Sequence, residues 1–278
     1  MIQARRLAGF VAAALLLAPI VAAADGQAPS GGARRAPERP TTSAPAAAAQ
    51  SQTTSGRRAD FLFGAPRGAV GVRGSWLFAA AGSDLFDFVT HHLTLDKGDF
   101  NAPGVAADLA IALTPRLDVQ AGFEVNRAAQ PSEYRNFVDN NLRPIEQVTR
   151  LKTVHLLGSV RYTLTPRGHQ VSRLAYIPSR LVPYVGAGAG AMYYLFEQHG
   201  DFVDFVDLRV FGDSFRSRGW TPAAHAFAGV DVQLHRSLYG TVQGRYTRAA
   251  APLGSDFVGF APIDLSGFHV SAGINVLF

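Results

Sequence analysis

The residues Gly267 to Phe278 read GFHVSAGINVLF and alternate strictly between two kinds of side chain. Phe268, Val270, Ala272, Ile274, Val276 and Phe278 fall on one face, and glycine or small polar residues fall on the other. Because side chains of a β-strand point alternately to opposite faces, this period of two predicts a strand. The strand has one unbroken apolar face and one small, polar face.

The composition agrees with a fold built from strands and turns. The chain has 278 residues with 28 glycines, 19 phenylalanines and no cysteine. The absence of cysteine excludes disulfide frameworks, zinc-thiolate sites and cysteine nucleophiles. The formal net charge is +5, but no basic helix or aromatic-basic motif accompanies it. Nucleic-acid binding is therefore not predicted.

The amino-terminal residues have the pattern of an export signal. Arg5 and Arg6 precede an apolar run that ends in Ala22-Ala23-Ala24, so residues 1–24 are predicted to be a cleaved signal peptide. A retained membrane anchor is the alternative, although the run is short for a spanning helix. Residues 25–60 are rich in Ala, Pro, Ser and Arg, and we expect a disordered periplasmic linker. The linker is either a spacer or a basic tether that contacts the cell wall.

Eight segments with a period of two follow the linker, so residues 61–278 are predicted to form one all-β domain. The predicted strands are 68–78, 103–114, 118–127, 148–164, 182–196, 220–234, 238–248 and 265–278. Long links alternate with short ones, as in an eight-stranded antiparallel up-and-down barrel in a membrane. The fourth link, 165–181, is longer than a short turn and carries several basic residues. We interpret it as an inserted basic turn.

The apolar faces are predicted to point outward, to lipid. They are continuous and nearly free of charge, for example in Val105, Ala107, Leu109, Ile111 and Leu113. The opposite faces carry glycine, alanine and a few charged residues, whereas a water-facing surface would be richer in Lys and Glu. Turning an arginine to the bilayer midplane would cost about 2–4 kcal/mol. The charged faces are therefore expected to line the lumen.

The inward charges are predicted to form one paired network. Arg73, Arg161 and Arg245 are each expected to contact one of the carboxylates Asp108, Glu124 and Asp231, since buried charges need partners. The amides and histidines expected to join them are Gln120, Gln233, Gln243, His155, His269 and Asn275. An eight-stranded interior is just wide enough for side chains to fill it. The alternative is an ion path lined by these charges.

Three segments carry a family resemblance: PYVGAGAGAMYY at 183–194, GVDVQLHRSLYGTVQGRYTR at 229–248 and the terminal GFHVSAGINVLF. Together they resemble the small eight-stranded outer-membrane barrels of the OmpA/OmpX/OmpW group. The resemblance implies export across the Gram-negative cell envelope, periplasmic chaperones and insertion by the outer-membrane assembly machinery, with Phe278 as the assembly signal. It also implies contact with outer-membrane lipid and lipopolysaccharide. We expect no carboxyl-terminal peptidoglycan-binding domain.

Candidate chemistry is sparse, and we predict no catalytic residue, cofactor or metal site. His91, His92 and His199 lie in predicted loops without a recognisable catalytic motif. Asp201, Asp204 and Asp207 could gather oxygen ligands, but they lack the glycine and the terminal glutamate of a calcium loop. We expect instead a strand or hairpin that extends beyond the membrane, with Phe202, Phe205 and Phe211 packed locally. Aromatic residues near the strand ends are predicted to lie at the membrane interfaces: Trp76, Phe78, Tyr193, Tyr246 and Phe278.

The sequence thus predicts an outer-membrane barrel with a structural or surface-interaction role, carried by long extracellular loops. A small-solute or ion channel and a barrel enzyme that modifies lipid A are the alternatives. The sequence does not name a ligand of the loops, because binding residues on loops follow no general code.

Overall fold

The computed structural model describes residues 62–172 and 175–278. The predicted signal peptide and linker lie outside the described residues. Eleven strands, one α-helix and two short 3-10 turns, at Lys97–Phe100 and Ser255–Phe257, make up this part of the chain. In chain order the longer elements are β1 Gly68–Ala79, α1 Asp84–His92, β2 Ala102–Ala112, β3 Leu117–Val138, β4 Pro144–Thr163, β5 Gly168–Ser172, β6 Ala175–Pro178, β7 Leu181–Val203, β8 Val210–Gln233, β9 Leu238–Ala251, β10 Ile263–Asp264 and β11 Gly267–Leu277.

Eight of the strands close into a barrel. Neighbouring strands pair in the order β1, β2, β3, β4, β7, β8, β9 and β11, and every pairing is antiparallel. The ring closes where β1 pairs with β11, from Ala69 opposite Leu277 to Ala79 opposite Gly267. The predicted eight-stranded antiparallel barrel is confirmed. The terminal strand that revealed the alternation is one side of the closing seam.

Four strands extend beyond the lengths that the sequence predicted. β3, β4, β7 and β8 have 20 to 24 residues, whereas β1, β2, β9 and β11 have 11 to 14. The β7–β8 hairpin stays paired up to Val203 opposite Val210. The sequence prediction ended β3 early and began β4 late because the apolar alternation stops there, although the ladder of hydrogen bonds continues. For β7 and β8 the structure agrees with the expected hairpin beyond the membrane around residues 201–211. Two long hairpins therefore rise from one rim of the barrel.

The fourth link is not a simple turn. β5 and β6 form a separate two-stranded hairpin, and Leu62 makes an isolated bridge to Tyr176 in β6. The hairpin lies at the rim of short links, since it connects β4 to β7. The inserted basic turn that the sequence predicted is, in its described part, a paired hairpin.

The rim of long links carries an apolar core that the sequence did not predict. α1 buries Leu85, Phe86 and Val89, which pack with Met192 and Phe196 of β7. The ring of Phe86 lies 4.7 Å from that of Phe100 and 6.1 Å from that of Phe196, edge to face in both pairs. We call the cluster of Leu85, Phe86, Val89, Phe100, Met192 and Phe196 the apolar cap. Of the helices in the described residues, none has the length and apolar character required to span a bilayer.

Candidate functional site

The outer surface of the barrel is an apolar belt. Val72, Leu156 and Ile274, from three different strands, are each about half exposed, at 53%, 47% and 49%. The predicted interface aromatics Trp76, Phe78, Tyr246 and Phe278 are also exposed, and Tyr193 is half-buried beside Trp220, with 5.5 Å between the ring centroids. Large apolar side chains face out on every strand of the ring. This arrangement is the reverse of a water-soluble β-barrel.

The lumen brings each of the three predicted arginines onto a carboxylate. Arg73 pairs with Asp108. Arg161 Nη2 lies 2.5 Å from Asp231 Oδ2, and Arg245 Nη2 lies 2.5 Å from Glu124 Oε2. All six side chains are at most 10% exposed. The barrel interior therefore holds charges that neutralise one another in pairs.

Three of the six predicted amides and histidines bind members of these pairs. Arg73 donates to Gln243 Oε1 at 2.8 Å, Asn275 Nδ2 donates to Asp231 at 3.3 Å, and His269 Nδ1 lies 2.9 Å from Glu124. His155 is buried with its ring 5.3 Å from that of His269, and Gln120 is buried on the same inner surface. Gln233 is only half-buried, at the end of β8, and its Nε2 has no partner among the described residues.

Sequence reasoning missed a fourth ion pair at the mouth of the lumen. Asp118 is 2% exposed and pairs with Arg167, while Arg161 Nε lies 3.6 Å from its other oxygen. The position of Asp118 was available from the sequence, because it has the same strand parity as Gln120 and Glu124. The position of Arg167 could not be predicted from the sequence, because Arg167 lies in the link before β5 and periodicity does not describe the path of a link. Arg167 thus covers the mouth at the rim of short links.

Neutral side chains complete the coordination of Glu124. Ser75 Oγ donates to Glu124 Oε1 at 2.9 Å, and Asn126 Nδ2 donates to the same oxygen at 3.2 Å. With Arg245 and His269, four side chains from four strands converge on one carboxylate. His225 of β8 is another inward residue that the sequence prediction missed. Its Nε2 forms a hydrogen bond with Ser159 Oγ at 2.9 Å. Both Asn126 and His225 have inward parity on their strands.

An aromatic cleft of about 190 Å³ lies in the long links beside the apolar cap. Phe88, Phe205, Phe211 and Phe260 are among its lining residues, and the ring of His92 lies 5.1 Å from that of Phe205. Burial, and secondly the charge of His91, lower the pKa of His92 below its ordinary value. His92 is therefore a largely neutral, aromatic wall of this cleft near neutral pH.

The remaining candidate residues form turn and edge structure. Asp204 accepts from the backbone N–H of Val206 at 2.8 Å, and Asp207 accepts from that of Arg209 at 3.1 Å. Asp201 and His199 lie in β7, away from any third ligand. Across residues 62–172 and 175–278, no three His, Asp or Glu side chains are grouped to hold a metal ion.

Phe278 is bound to the start of the barrel. Its backbone N–H donates to the carbonyl of Gly68 at 3.0 Å, and its carbonyl accepts from the N–H groups of Arg67 and Gly68. Its ring lies against Gly68, where a Cβ would come within 2.6 Å of the ring. The side chain is nevertheless 61% exposed, on the side of the apolar belt.

Comparisons with known proteins return structural matches alone. No family model matches the chain, and no curated protein matches it. Similar solved structures include the outer membrane protein OprG from Pseudomonas aeruginosa, at 14% identity and a TM-score of 0.42, covering 77% of this chain and 98% of that chain. Neisserial surface protein A matches at 11% identity and a TM-score of 0.40, covering 76% and 97%. The N-terminal β-barrel domain of Pseudomonas aeruginosa OprF matches at 12% and 0.35, covering 77% and 99%. The fold assignment therefore rests on the strand pairing of this chain itself.

Proposed function

We propose that this protein spans a bacterial outer membrane as a barrel with a closed lumen and presents its long links at the cell surface. The observation that carries the proposal is the inversion of polarity. Apolar side chains from every strand of the ring are exposed, while four ion pairs are buried inside. A belt of this kind far exceeds the apolar patches of soluble monomers, and a bilayer is the solvent that it fits.

A structural or surface-interaction role fits the interior better than conduction. Charged side chains fill the narrow lumen in pairs, Arg167 covers one mouth, and the apolar cap packs at the opposite rim. An ion would have to displace an arginine from its carboxylate and then cross a packed apolar layer. The surface available to partners is the outer face of the long links, including the aromatic cleft.

The remaining assignments complete the proposal. Residues 1–24 would direct export and be removed, residues 25–60 would form a periplasmic linker that is able to contact the cell wall, and residues 61–278 would form the barrel. The short links would face the periplasm. Phe278 would be read by the assembly machinery after periplasmic chaperones deliver the chain, and its exposed ring on the apolar side supports this role.

The test is membrane fractionation followed by electrophoresis with and without heating. We expect the protein in the outer-membrane fraction, with a mobility shift on heating because the closed barrel resists detergent. A soluble protein without that shift would overturn the proposal. Planar-bilayer recordings of the folded protein should give no large, stable single-channel conductance, and such a conductance would overturn the closed lumen alone.

A further inference from the structure

Three basic side chains form a row on the outside of the barrel, just beyond the apolar belt. Arg127 of β3 lies directly opposite Lys152 of β4, Lys152 lies opposite Leu195 of β7, and Leu195 lies opposite Arg218 of β8. Arg127, Lys152 and Arg218 are all exposed. We call these three residues the basic row.

The basic row has no counter-charge of its own. None of its members forms an ion pair with any other side chain in the part of the chain that the structure describes. Like charges placed directly opposite each other on neighbouring strands are destabilising. Arg127 and Lys152 therefore repel each other in the isolated protein, and an anion placed between them would relieve that repulsion.

The next row toward the loop rim strengthens the positive charge. Glu197 of β7 lies between Arg216 and Arg150, at 2.8 Å and 3.6 Å. The hydrogen bond from Arg216 is the main interaction that lowers the pKa of Glu197, so this carboxylate stays ionised. One carboxylate nevertheless faces two arginines. In these two rows, five basic side chains are accompanied by one carboxylate, that of Glu197.

The position of the basic row selects the kind of anion. Two residues below it along the strands, Val125 lies opposite Val154 in the apolar belt. The exposed Trp220 and its neighbour Tyr193 lie on the strands at the other end of the row, at the level where aromatic side chains meet a headgroup layer. A ligand held here would have its charged part on the basic row and apolar chains along the belt.

We infer that the basic row binds the phosphorylated headgroup of a lipid of the outer leaflet, with the acyl chains of that lipid against β3, β4, β7 and β8. This inference rests on the proposed outer-membrane location. The opposite side of the barrel presents Phe78 and Phe268 near the loop rim, with Arg248 as a basic neighbour on β9. The lipid site that we infer lies on the half of the barrel formed by β3, β4, β7 and β8.

The test measures binding of bis-phosphorylated lipid A to the folded protein in detergent by native mass spectrometry. The variant Arg127→Gln/Lys152→Gln/Arg218→Gln removes the basic row. Since each basic group near an anionic membrane surface is worth about fivefold in affinity, we expect a loss of about 100-fold. The matched control removes the same charge from Arg116, Arg143 and Arg180, which lie in links away from the basic row, and we expect it to bind within about threefold of wild type.

Further arms separate the sources of the effect. Lipid A without phosphates should bind wild type and the basic-row variant equally weakly, and inorganic phosphate should not compete at millimolar concentration. The basic-row variant should be at least as resistant to urea as wild type in lipid-free detergent, because like-charge repulsion has been removed. Equal affinity of the basic-row variant and wild type for bis-phosphorylated lipid A would overturn the inference, while a retained heat-dependent mobility shift would leave the barrel proposal intact. Competition by inorganic phosphate would also overturn it, in favour of a soluble anion.

Discussion

Replacing Glu124 by glutamine tests whether the lumen is a paired, dry core. The carboxylate is 2% exposed and accepts hydrogen bonds from Arg245, His269, Ser75 and Asn126. Glutamine keeps the volume and one acceptor oxygen, but it removes the charge that neutralises Arg245. Breaking a buried ion pair by removing one partner typically costs about 3–5 kcal/mol. That is a large part of a typical unfolding free energy of about 5–15 kcal/mol.

The assay is urea unfolding of the barrel in detergent or lipid vesicles, followed by fluorescence of Trp76 and Trp220 and by the heat-dependent mobility shift. The double variant Glu124→Gln/Arg245→Gln should cost less than the sum of its parts, because both charges leave together, with a coupling of about 1–3 kcal/mol. Glu146→Gln is the control, since Glu146 is exposed on β4. Because Glu146 lies opposite Glu133, its change should not lower the unfolding free energy and should raise it by at most about 1 kcal/mol.

One result would refute the reasoning. If Glu124→Gln lowers the unfolding free energy by less than about 1 kcal/mol, Arg245 must be solvated by water that enters the lumen, because an uncompensated buried charge costs more than that. The ion pairs would then line a wet path, and the channel alternative would gain support. A coupling near zero in the double variant would lead to the same conclusion.

Three further predictions address the cap, the mouth and the cleft. Phe86→Ala should lower the unfolding free energy by about 3–5 kcal/mol, because a fully buried ring is lost from the apolar cap, and limited proteolysis should then cut the long links faster. In the natural cysteine-free background, Asn275→Cys should resist a water-soluble thiol reagent, and adding Arg167→Gln should speed its modification by uncovering the mouth of the lumen. NMR titration should place the pKa of His92 below its ordinary value, and His91→Gln should raise the pKa of His92. The unfolded chain therefore binds a proton at His92 more readily than the folded protein does. The contribution of His92 to stability should be lost as the pH falls below about 6.5.

The sequence was sufficient for the features that follow strand periodicity. Alternation located the eight strands of the ring and the inward parity of Arg73, Arg161 and Arg245, because one face of each strand must avoid lipid. The same parity would also have included Asp118 and His225, had it been applied to every polar position.

The features that it missed depend on contacts between distant links. α1 has a helical signature, with Ser83 before it, Asp84 and Asp87 in its first turn and Leu85, Phe86 and Val89 on one side. The sequence prediction treated this segment as part of a long loop and did not assign a helix to it. The full lengths of β3 and β4 and the approach of Arg167 to Asp118 are set by long-range pairing and by the path of a link, and local patterns do not encode either.

The seam between β1 and β11 joins the two barrel strands that lie farthest apart in the sequence. β1 is the first barrel strand to be synthesised, and its partner β11 is the last, so one edge of β1 must wait with unpaired N–H and C=O groups until every other strand has been made. Contacts so distant in sequence form slowly, and an open edge invites pairing with other chains. A partly formed barrel is therefore prone to aggregation through the unpaired edge of β1. This risk ends when β1 pairs with β11, from Ala69 opposite Leu277 onward.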